Sequence, residues 1–257
     1  MPTWQDTGLD FPEVRRVTLT TAACLRASGK SNLAATCCTV RHQEKSTWPC
    51  TVQTLFDTPA HARMHAQAYL NNPQSRHKSD LIEGVFVMAS PASWEHEQIV
   101  ALIISTMSNF VSVHPLGKVS ASNAGFRLSE DNVFQPDVAF VRTERLHLVE
   151  DDVVFGGAPD IAVEVISPSS RQYDTVEKKI NYGRFGVGEY WLIDPIRREA
   201  VFYARQGEQL IPIPAEPGTV RSQLLDGYWL RPAWLFPGPG ESRPTALEIS
   251  RAQGLLD

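Results

Sequence analysis

The chain has 257 residues, of which 42% are hydrophobic and 21% charged, so it can bury a complete core without disulfide or metal support. Its formal net charge of −5 excludes binding to nucleic acid through overall charge, and any basic contact surface must be local. No stretch of the sequence is long and apolar enough to span a bilayer.

Residues 1–57 show no sustained helical or strand periodicity, and we predict a poorly ordered N-terminal extension. All the cysteines of the chain lie in it: Cys24, Cys37, Cys38 and Cys50. Because two of them are adjacent, they fit neither a CxxC pair nor a disulfide framework, and they favour reduced thiols in a cytoplasmic protein. A zinc site combining them with His61 and His65 would match no familiar ligand spacing.

From residue 58 onward, helical and strand patterns alternate. The hydrophobic periodicity and the turn residues predict helices at 58–71, 91–113 and 171–184. They predict a hairpin at 80–88 and strands at 118–123, 125–128, 133–141, 160–166, 189–194, 200–203 and 209–213. This order predicts an α/β fold in which helices flank a mixed β-sheet, with one domain over 58–236 and a C-terminal tail over 237–257.

Two of the predicted strands each carry one acid among apolar residues, namely Glu164 and Asp137. A buried carboxylate is costly unless it meets a charged or hydrogen-bonding partner. If these strands pair, both carboxylates converge on one side of the sheet, an arrangement that Mg²⁺ or Mn²⁺ prefers. The alternatives are a structural ion pair for Glu164 and a role in starting the strand for Asp137.

The predicted helix 171–184 places three polar residues at intervals of four, on one face: Asp174, Lys178 and Tyr182. Lys178 can therefore reach back toward the end of the Glu164 strand, where an ammonium could stabilise a phosphorane or orient a water. The same helix is locally basic, as a phosphate backbone requires, through Arg171, Lys179 and Arg184. The alternative is an ordinary surface pair between Asp174 and Lys178.

Four stretches match a known family in chain order: LIEGVFVMASPASWEHEQIV, VFQPDVAFV, GAPDIAVEVISPSSRQYDTVEKKINYGRFGVGEYWLIDP and the looser LLDGYWLRPAWLF. Between about residues 75 and 236 the chain resembles the Uma-two family, which is classed with restriction endonucleases in the PD-(D/E)XK nuclease-like superfamily. The resemblance implies a restriction-endonuclease-like fold and an endonuclease that uses Mg²⁺ or Mn²⁺ to hydrolyse phosphodiester bonds in DNA. A homodimer is compatible with cleavage of both strands.

The resemblance also implies roles for single residues. Asp137 and Glu164 would be metal ligands, with the backbone carbonyl of Val165 beside them. The superfamily usually has a lysine two residues beyond the second acid, where this chain has Ile166, and the resemblance implies that Lys178 takes that role. Residues implied as accessory are Glu83 near the metal, His96 and Gln98 at the start of the second helix, and Asp174 and Tyr182.

Two other functions remain open from the sequence. The displaced lysine and the acidic net charge are compatible with a catalytically inactive nuclease fold that binds nucleic acid or regulates another protein. The third alternative is an interaction protein whose interface uses Trp191, Trp229 and Trp234, although core packing is the commoner use of such residues.

Overall fold

The computed structural model describes residues 63–150, 154–168 and 170–256. The predicted N-terminal extension, its cysteines, His61 and the first part of the predicted helix 58–71 lie outside these residues. Within the described part, no helix is long and apolar enough to cross a membrane.

The helices and strands follow the predicted alternation, with some additional short elements. The helices are α1 (Ala66–Leu70), α2 (Trp94–Val113), α3 (Lys179–Phe185), α4 (Pro232–Leu235) and α5 (Ala246–Ala252). The helix before α3 is a π-helix over Tyr173–Lys178, called the π segment below, and 3₁₀ turns span Pro73–Arg76 and Thr143–Leu148. The first strands are β1 (Ser79–Ile82), β2 (Val85–Met88), β3 (Gly117–Ala121), β4 (Gly125–Ser129), β5 (Asn132–Phe134), β6 (Val138–Arg142) and β7 (Val149–Glu150). The remaining strands are β8 (Val154–Phe155), β9 (Ile161–Val165), β10 (Glu189–Asp194), β11 (Glu199–Gln206), β12 (Gln209–Pro212), β13 (Val220–Arg221) and β14 (Trp229–Leu230).

The central sheet has the strand order β12-β11-β10-β9-β6-β3. Strands β9 and β10 are parallel, and the other neighbours in this sheet are antiparallel. A parallel pair needs a crossover, which the π segment and α3 provide. A second sheet has the order β2-β1-β5-β4-β8-β7. The predicted α/β class with a mixed sheet and flanking helices is therefore confirmed.

Alternation along β9 decides what each face of the central sheet covers. Val163 and Val165 belong to the core that α2 closes, whereas Ala162 and Ile166 belong to the core under α3 and the second sheet. Glu164 lies on this second face, as its position in the strand predicts, and it is buried. The fold therefore places a carboxylate between the central sheet and the π segment.

The hairpin and helix predicted between residues 80 and 113 are confirmed. Strands β1 and β2 pair across a turn in which Glu83 (φ 48°) and Gly84 (φ 79°) both have positive φ, as a tight hairpin requires. Helix α2 begins after Ser93, whose side chain accepts a hydrogen bond from the backbone N–H of His96 at 3.2 Å. The turn at Glu83-Gly84 fixes the hairpin, and the Ser93 cap fixes the start of α2.

Three predicted elements differ in detail. The strand predicted at 133–141 is divided into β5 and β6, because the chain turns from one sheet to the other at Gln135-Pro136-Asp137. The helix predicted at 171–184 contains the π segment. The C-terminal tail predicted from 237 includes α5, in which Ile249 is buried in the α2 core.

Candidate functional site

A cleft of about 580 Å³ opens where the central sheet, the β1–β2 hairpin, the start of α2 and the π segment meet. Four buried carboxylates and two lysines line it: Asp80, Asp137, Glu164, Asp174, Lys78 and Lys178. Six ionisable groups around one small volume make this cleft the strongest candidate site in the described residues.

Asp137 stands at the point where the chain passes from β5 to β6. Its Oδ1 accepts a hydrogen bond from Nζ of Lys78 at 2.6 Å, and its Oδ2 accepts one from the backbone N–H of Val165 at 2.8 Å. Nε2 of His96 lies 3.3 Å from the same Oδ2. Asp137 is therefore held from three sides, by the segment before β1, by β9 and by α2.

Burial opposes ionisation of Asp137, but the Lys78 ammonium and the contact with His96 more than offset it. Together they hold the pKa of Asp137 below its ordinary value. Burial also disfavours the charged form of His96, yet its contact with Asp137 raises the pKa of this imidazole. Asp137 is consequently a carboxylate at neutral pH.

Strand β9 ends in the cleft with Glu164 and Val165. Oε1 of Glu164 accepts hydrogen bonds from Nζ of Lys178 at 2.8 Å and from the Tyr182 hydroxyl at 2.9 Å. The N–H of Ile166 bonds to Ile193 in β10, while the N–H of Val165 points the other way, to Asp137. Because the N–H and C=O of one strand residue point to the same side, the Val165 carbonyl also faces the Asp137 side.

Lys178 lies among three acids. Its Nζ is 2.8 Å from Glu164 and 2.9 Å from Oδ2 of Asp80, and 3.6 Å from Oδ1 of Asp174. Asp80 is fixed in turn, because its Oδ1 accepts the backbone N–H of Gln135 at 2.7 Å. Burial alone would favour neutral lysine, but the three carboxylates raise the pKa of Lys178 well above its ordinary value.

The π segment supplies both Asp174 and Lys178. The Tyr190 hydroxyl in β10 donates to the backbone carbonyl of Asp174 at 2.9 Å. Arg171, just before the segment, forms a two-pronged ion pair with Asp194 at the end of β10. π-Helical turns are frequent at functional sites, and this one is joined to the central sheet by side chains at both of these points.

Negative charge is in excess in this cluster. Four buried carboxylates face two lysines, so two negative charges lack a partner when all six groups are ionised and His96 is neutral. Burial is the largest influence on Glu164, and with the nearby Asp137 and Asp174 it raises the pKa of Glu164 to about 8 in spite of Lys178. Burial likewise raises the pKa of Asp174, whose Oδ1 accepts no hydrogen bond from the described residues.

The donor set fits a hard divalent cation in chemistry and in charge. Two carboxylates on adjacent strands and a backbone carbonyl are the oxygen ligands that Mg²⁺ and Mn²⁺ prefer, and a divalent ion would balance the two excess charges. Among the described residues, no three Asp, Glu, His or Cys side chains are already grouped as a metal site. The carboxylate oxygens of Asp137, Asp80 and Glu164 are instead paired with the ammonium groups of Lys78 and Lys178.

Comparison with known proteins places the chain in a family. Residues 66–233 match the model of the Uma2 (Uma-two) family, described as "Putative restriction endonuclease". The chain belongs to the Uma2 family. A solved structure of a "putative nuclease belonging to DUF820" from Anabaena variabilis is similar in fold, with a TM-score of 0.57 and 21% identity over 67% of this chain and 97% of that one. The curated proteins give no match.

The structure brings most of the predicted site residues of this Uma2 chain together. The cleft or the contacts just behind it contain Asp137, Glu164, Val165, Lys178, His96, Asp174 and Tyr182. It does not bring Glu83 there, because Glu83 is exposed at the hairpin turn, and Asp80, three residues earlier, occupies the cleft instead. Gln98 is exposed on α2 and is not among the lining residues.

The residues predicted to bind nucleic acid lie outside the cleft lining. Arg171 is paired with Asp194, Lys179 lies 4.0 Å from the centre of the Tyr203 ring, and Arg184 is exposed near Phe185. Their role stays a prediction. Trp191 is fully buried and stacks on Phe202, which is core packing rather than an interface.

Sequence reasoning missed two residues of this Uma2 site, Lys78 and Asp80. Both lie at the start of β1 in the stretch KSDLIEG. Asp80 is an acidic residue directly before apolar strand residues, which is a pattern that the sequence displays. That is the signal that identified Glu164, so Asp80 could have been found. Lys78 gave no such signal, since its partner Asp137 is 59 positions away.

Proposed function

We propose that this protein is a divalent-metal-dependent endonuclease that hydrolyses phosphodiester bonds in DNA. The observation that carries the proposal is the buried cluster of four carboxyl groups and two lysines at the meeting point of β6 and β9. Membership of the Uma2 family supports a nuclease function, and the family description favours DNA as the substrate. Mg²⁺ is the proposed cofactor, with Mn²⁺ as a substitute.

The proposal gives each group a role. Asp137 and Glu164 would hold the cation, with the Val165 carbonyl as a further ligand. When bound, such a cation activates water and offsets charge on the phosphoryl oxygens. Lys178 keeps Glu164 and Asp80 in place, since its Nζ contacts both. The Tyr182 hydroxyl of α3 donates a second hydrogen bond to Oε1 of Glu164 and so helps to fix its position.

The first experiment joins metal binding to cleavage. Wild-type protein and the variant Asp137→Asn/Glu164→Gln are titrated with Mg²⁺ and Mn²⁺ by calorimetry, and the same samples are incubated with supercoiled plasmid. We expect the wild type to bind metal and to nick the plasmid, and the variant to do neither while keeping its fold by circular dichroism. The amide substitutions keep the size and one acceptor oxygen of each side chain and remove its negative charge.

The same samples decide between this function and a non-catalytic one. Wild-type protein that binds a DNA duplex but neither binds metal nor nicks plasmid would be a nucleic-acid-binding descendant of the nuclease fold. Cleavage that persists in the double variant would contradict the assignment of Asp137 and Glu164. Cutting both strands of a duplex needs two active sites or two successive events, and we therefore also propose a homodimer. The molar mass of the protein in solution, measured by light scattering, tests this proposal.

A further inference from the structure

The two lysines of the cleft have very different surroundings. The Lys178 side chain is 5% exposed, and its Nζ lies within 3.6 Å of three carboxylates. The Lys78 side chain is 26% exposed, and among the described residues its Nζ forms an ion pair with one carboxylate, that of Asp137, at 2.6 Å. One lysine is thus enclosed by acids, and the other stands at the opening of the cleft.

Lys178 is paired with the buried acids of the cleft. Its Nζ donates a hydrogen bond to Glu164 at 2.8 Å, lies 2.9 Å from Oδ2 of Asp80 and is 3.6 Å from Oδ1 of Asp174. Turning Lys178 toward a phosphate would leave these buried carboxylates without their cation, and an unpaired buried charge is among the most expensive arrangements in a protein. Its geometry suits a residue that holds acids in position.

Lys78 would leave Asp137 with two other partners if it turned toward a phosphate. Asp137 would keep the hydrogen bond from the Val165 N–H at 2.8 Å and the contact with His96 at 3.3 Å. The backbone at Lys78 is fixed, because its carbonyl accepts the N–H of Ala89 at 3.0 Å. The flexible four-carbon stem can therefore swing from a fixed base, and the neighbouring His77 also lines the cleft.

We propose that Lys78, rather than Lys178, is the lysine that contacts a phosphodiester of the bound nucleic acid. The proposal rests on the proposed function, since it concerns the substrate of the same site. Were a cation held by Asp137, it would compete with the Lys78 ammonium for this carboxylate, and the ammonium would be free to meet a phosphate at the opening of the cleft. Lys178 is a positioning residue for Glu164 and Asp80.

Binding of DNA tests this contact directly. The probe is a fluorescein-labelled 20-base-pair duplex, followed by anisotropy in Ca²⁺ over a series of NaCl concentrations. Lys78→Ala and Lys78→Gln should each weaken binding by roughly tenfold and reduce the slope of log K against log salt by about one. The matched control is Lys118→Ala, an exposed lysine of β3 outside the cleft, which should change binding by less than about twofold.

Metal affinity separates contact with substrate from a structural role. If Lys78 only holds Asp137 in place, Lys78→Ala must weaken Mn²⁺ binding in calorimetry. If the proposal is right, Mn²⁺ binds at least as tightly, because a competing ammonium has been removed from Oδ1 of Asp137. Lys78→Gln can still donate a hydrogen bond to Asp137, so it guards against a misfolded alanine variant, and thermal melting confirms that both are folded.

The outcomes distinguish this inference from the proposed function. Wild-type protein that nicks plasmid while both Lys78 variants bind duplex normally would overturn the role of Lys78 and leave the nuclease standing. Wild-type protein that binds duplex without nicking, with weakened binding in both variants, would support the phosphate contact and overturn the nuclease. Wild-type protein that neither binds nor nicks would overturn both.

Discussion

Lys178 is the residue on which the buried charge balance of the cleft depends, because its ammonium meets three carboxylates. Lys178→Met keeps much of the volume but leaves those acids without their cation, and we expect a loss of about 3–5 kcal/mol in the free energy of unfolding. Urea denaturation at pH 7 in EDTA measures it. The control is Lys179→Met, whose ammonium lies over Tyr203 and should contribute about 1 kcal/mol or less. Equal losses in the two variants would contradict the assignment.

Glu164 makes the stability of the protein depend on pH in a defined direction. Burial raises the pKa of Glu164 to about 8 in the folded state, above the ordinary value of 4.5 for a glutamate side chain. The folded state therefore binds more protons between these two values, and without divalent metal its stability falls as the pH rises from about 5 to 8. Glu164→Gln does not titrate, and we expect it to flatten this slope, which in the wild type approaches about 1.4 kcal/mol per pH unit.

Denaturation in EDTA at pH 5, 6, 7 and 8 measures the difference between the two proteins. At pH 8 the glutamine variant should be the more stable one, because the wild type must then ionise a buried carboxyl group. Parallel curves for the two proteins would show that Lys178 already keeps Glu164 ionised throughout this range.

How far single residues could be predicted depends on how local their signal is. Glu164 and Asp137 were found because an acidic residue among apolar strand residues is costly to bury without a partner. That pattern is visible in the sequence itself. Lys78 was not found, because its contact with Asp137 forms only when the fold brings the start of β1 next to the start of β6. Glu83 was placed near the metal by family resemblance, whereas it lies at the exposed hairpin turn and Asp80 lines the cleft instead.

At the scale of elements, the π segment is the feature that aligns the helix with the sheet. Tyr190→Phe removes the hydroxyl that donates to the Asp174 carbonyl at 2.9 Å and leaves this buried group without that donor. We expect a loss of about 1–2 kcal/mol in urea denaturation. The same change at Tyr203, whose half-buried ring lies beside Tyr190, is the control and should have a smaller effect. A similar loss in both would assign the effect to ring packing.

The sequence located this helix but could not predict its π geometry. Intervals of four between Asp174, Lys178 and Tyr182 describe an ordinary helical face, and that face is the correct one. The bond from Tyr190 to Asp174 and the Arg171–Asp194 pair both come from β10, beyond the end of the helix. Contacts of this kind follow from the parallel pairing of β9 and β10, which periodicity does not reveal.

At the scale of the whole molecule, the described fold extends past the predicted domain end at residue 236. The proline- and glycine-rich stretch 237–244 suggested a tail, but Thr245 and Glu248 form a capping box that begins α5. This pattern was present in the sequence and is a local signal for a helix start. Helix α5 then packs on α2, where the Ser250 hydroxyl accepts a hydrogen bond from Asn109 at 3.0 Å.

Helix α5 supplies a direct test of whether the C-terminal residues belong to the folded core. Ile249 is 1% exposed in the α2 core, whereas Leu247, two positions earlier on the same helix, is 49% exposed. Ile249→Ala should therefore cost about 2–5 kcal/mol in the free energy of unfolding, and Leu247→Ala about 0.5 kcal/mol. Urea denaturation of both variants measures the difference. If both changes cost little, α5 does not contribute to the core. If Ile249→Ala alone is costly, removing residues 237–257 should also destabilise the protein, because α5 packs on α2.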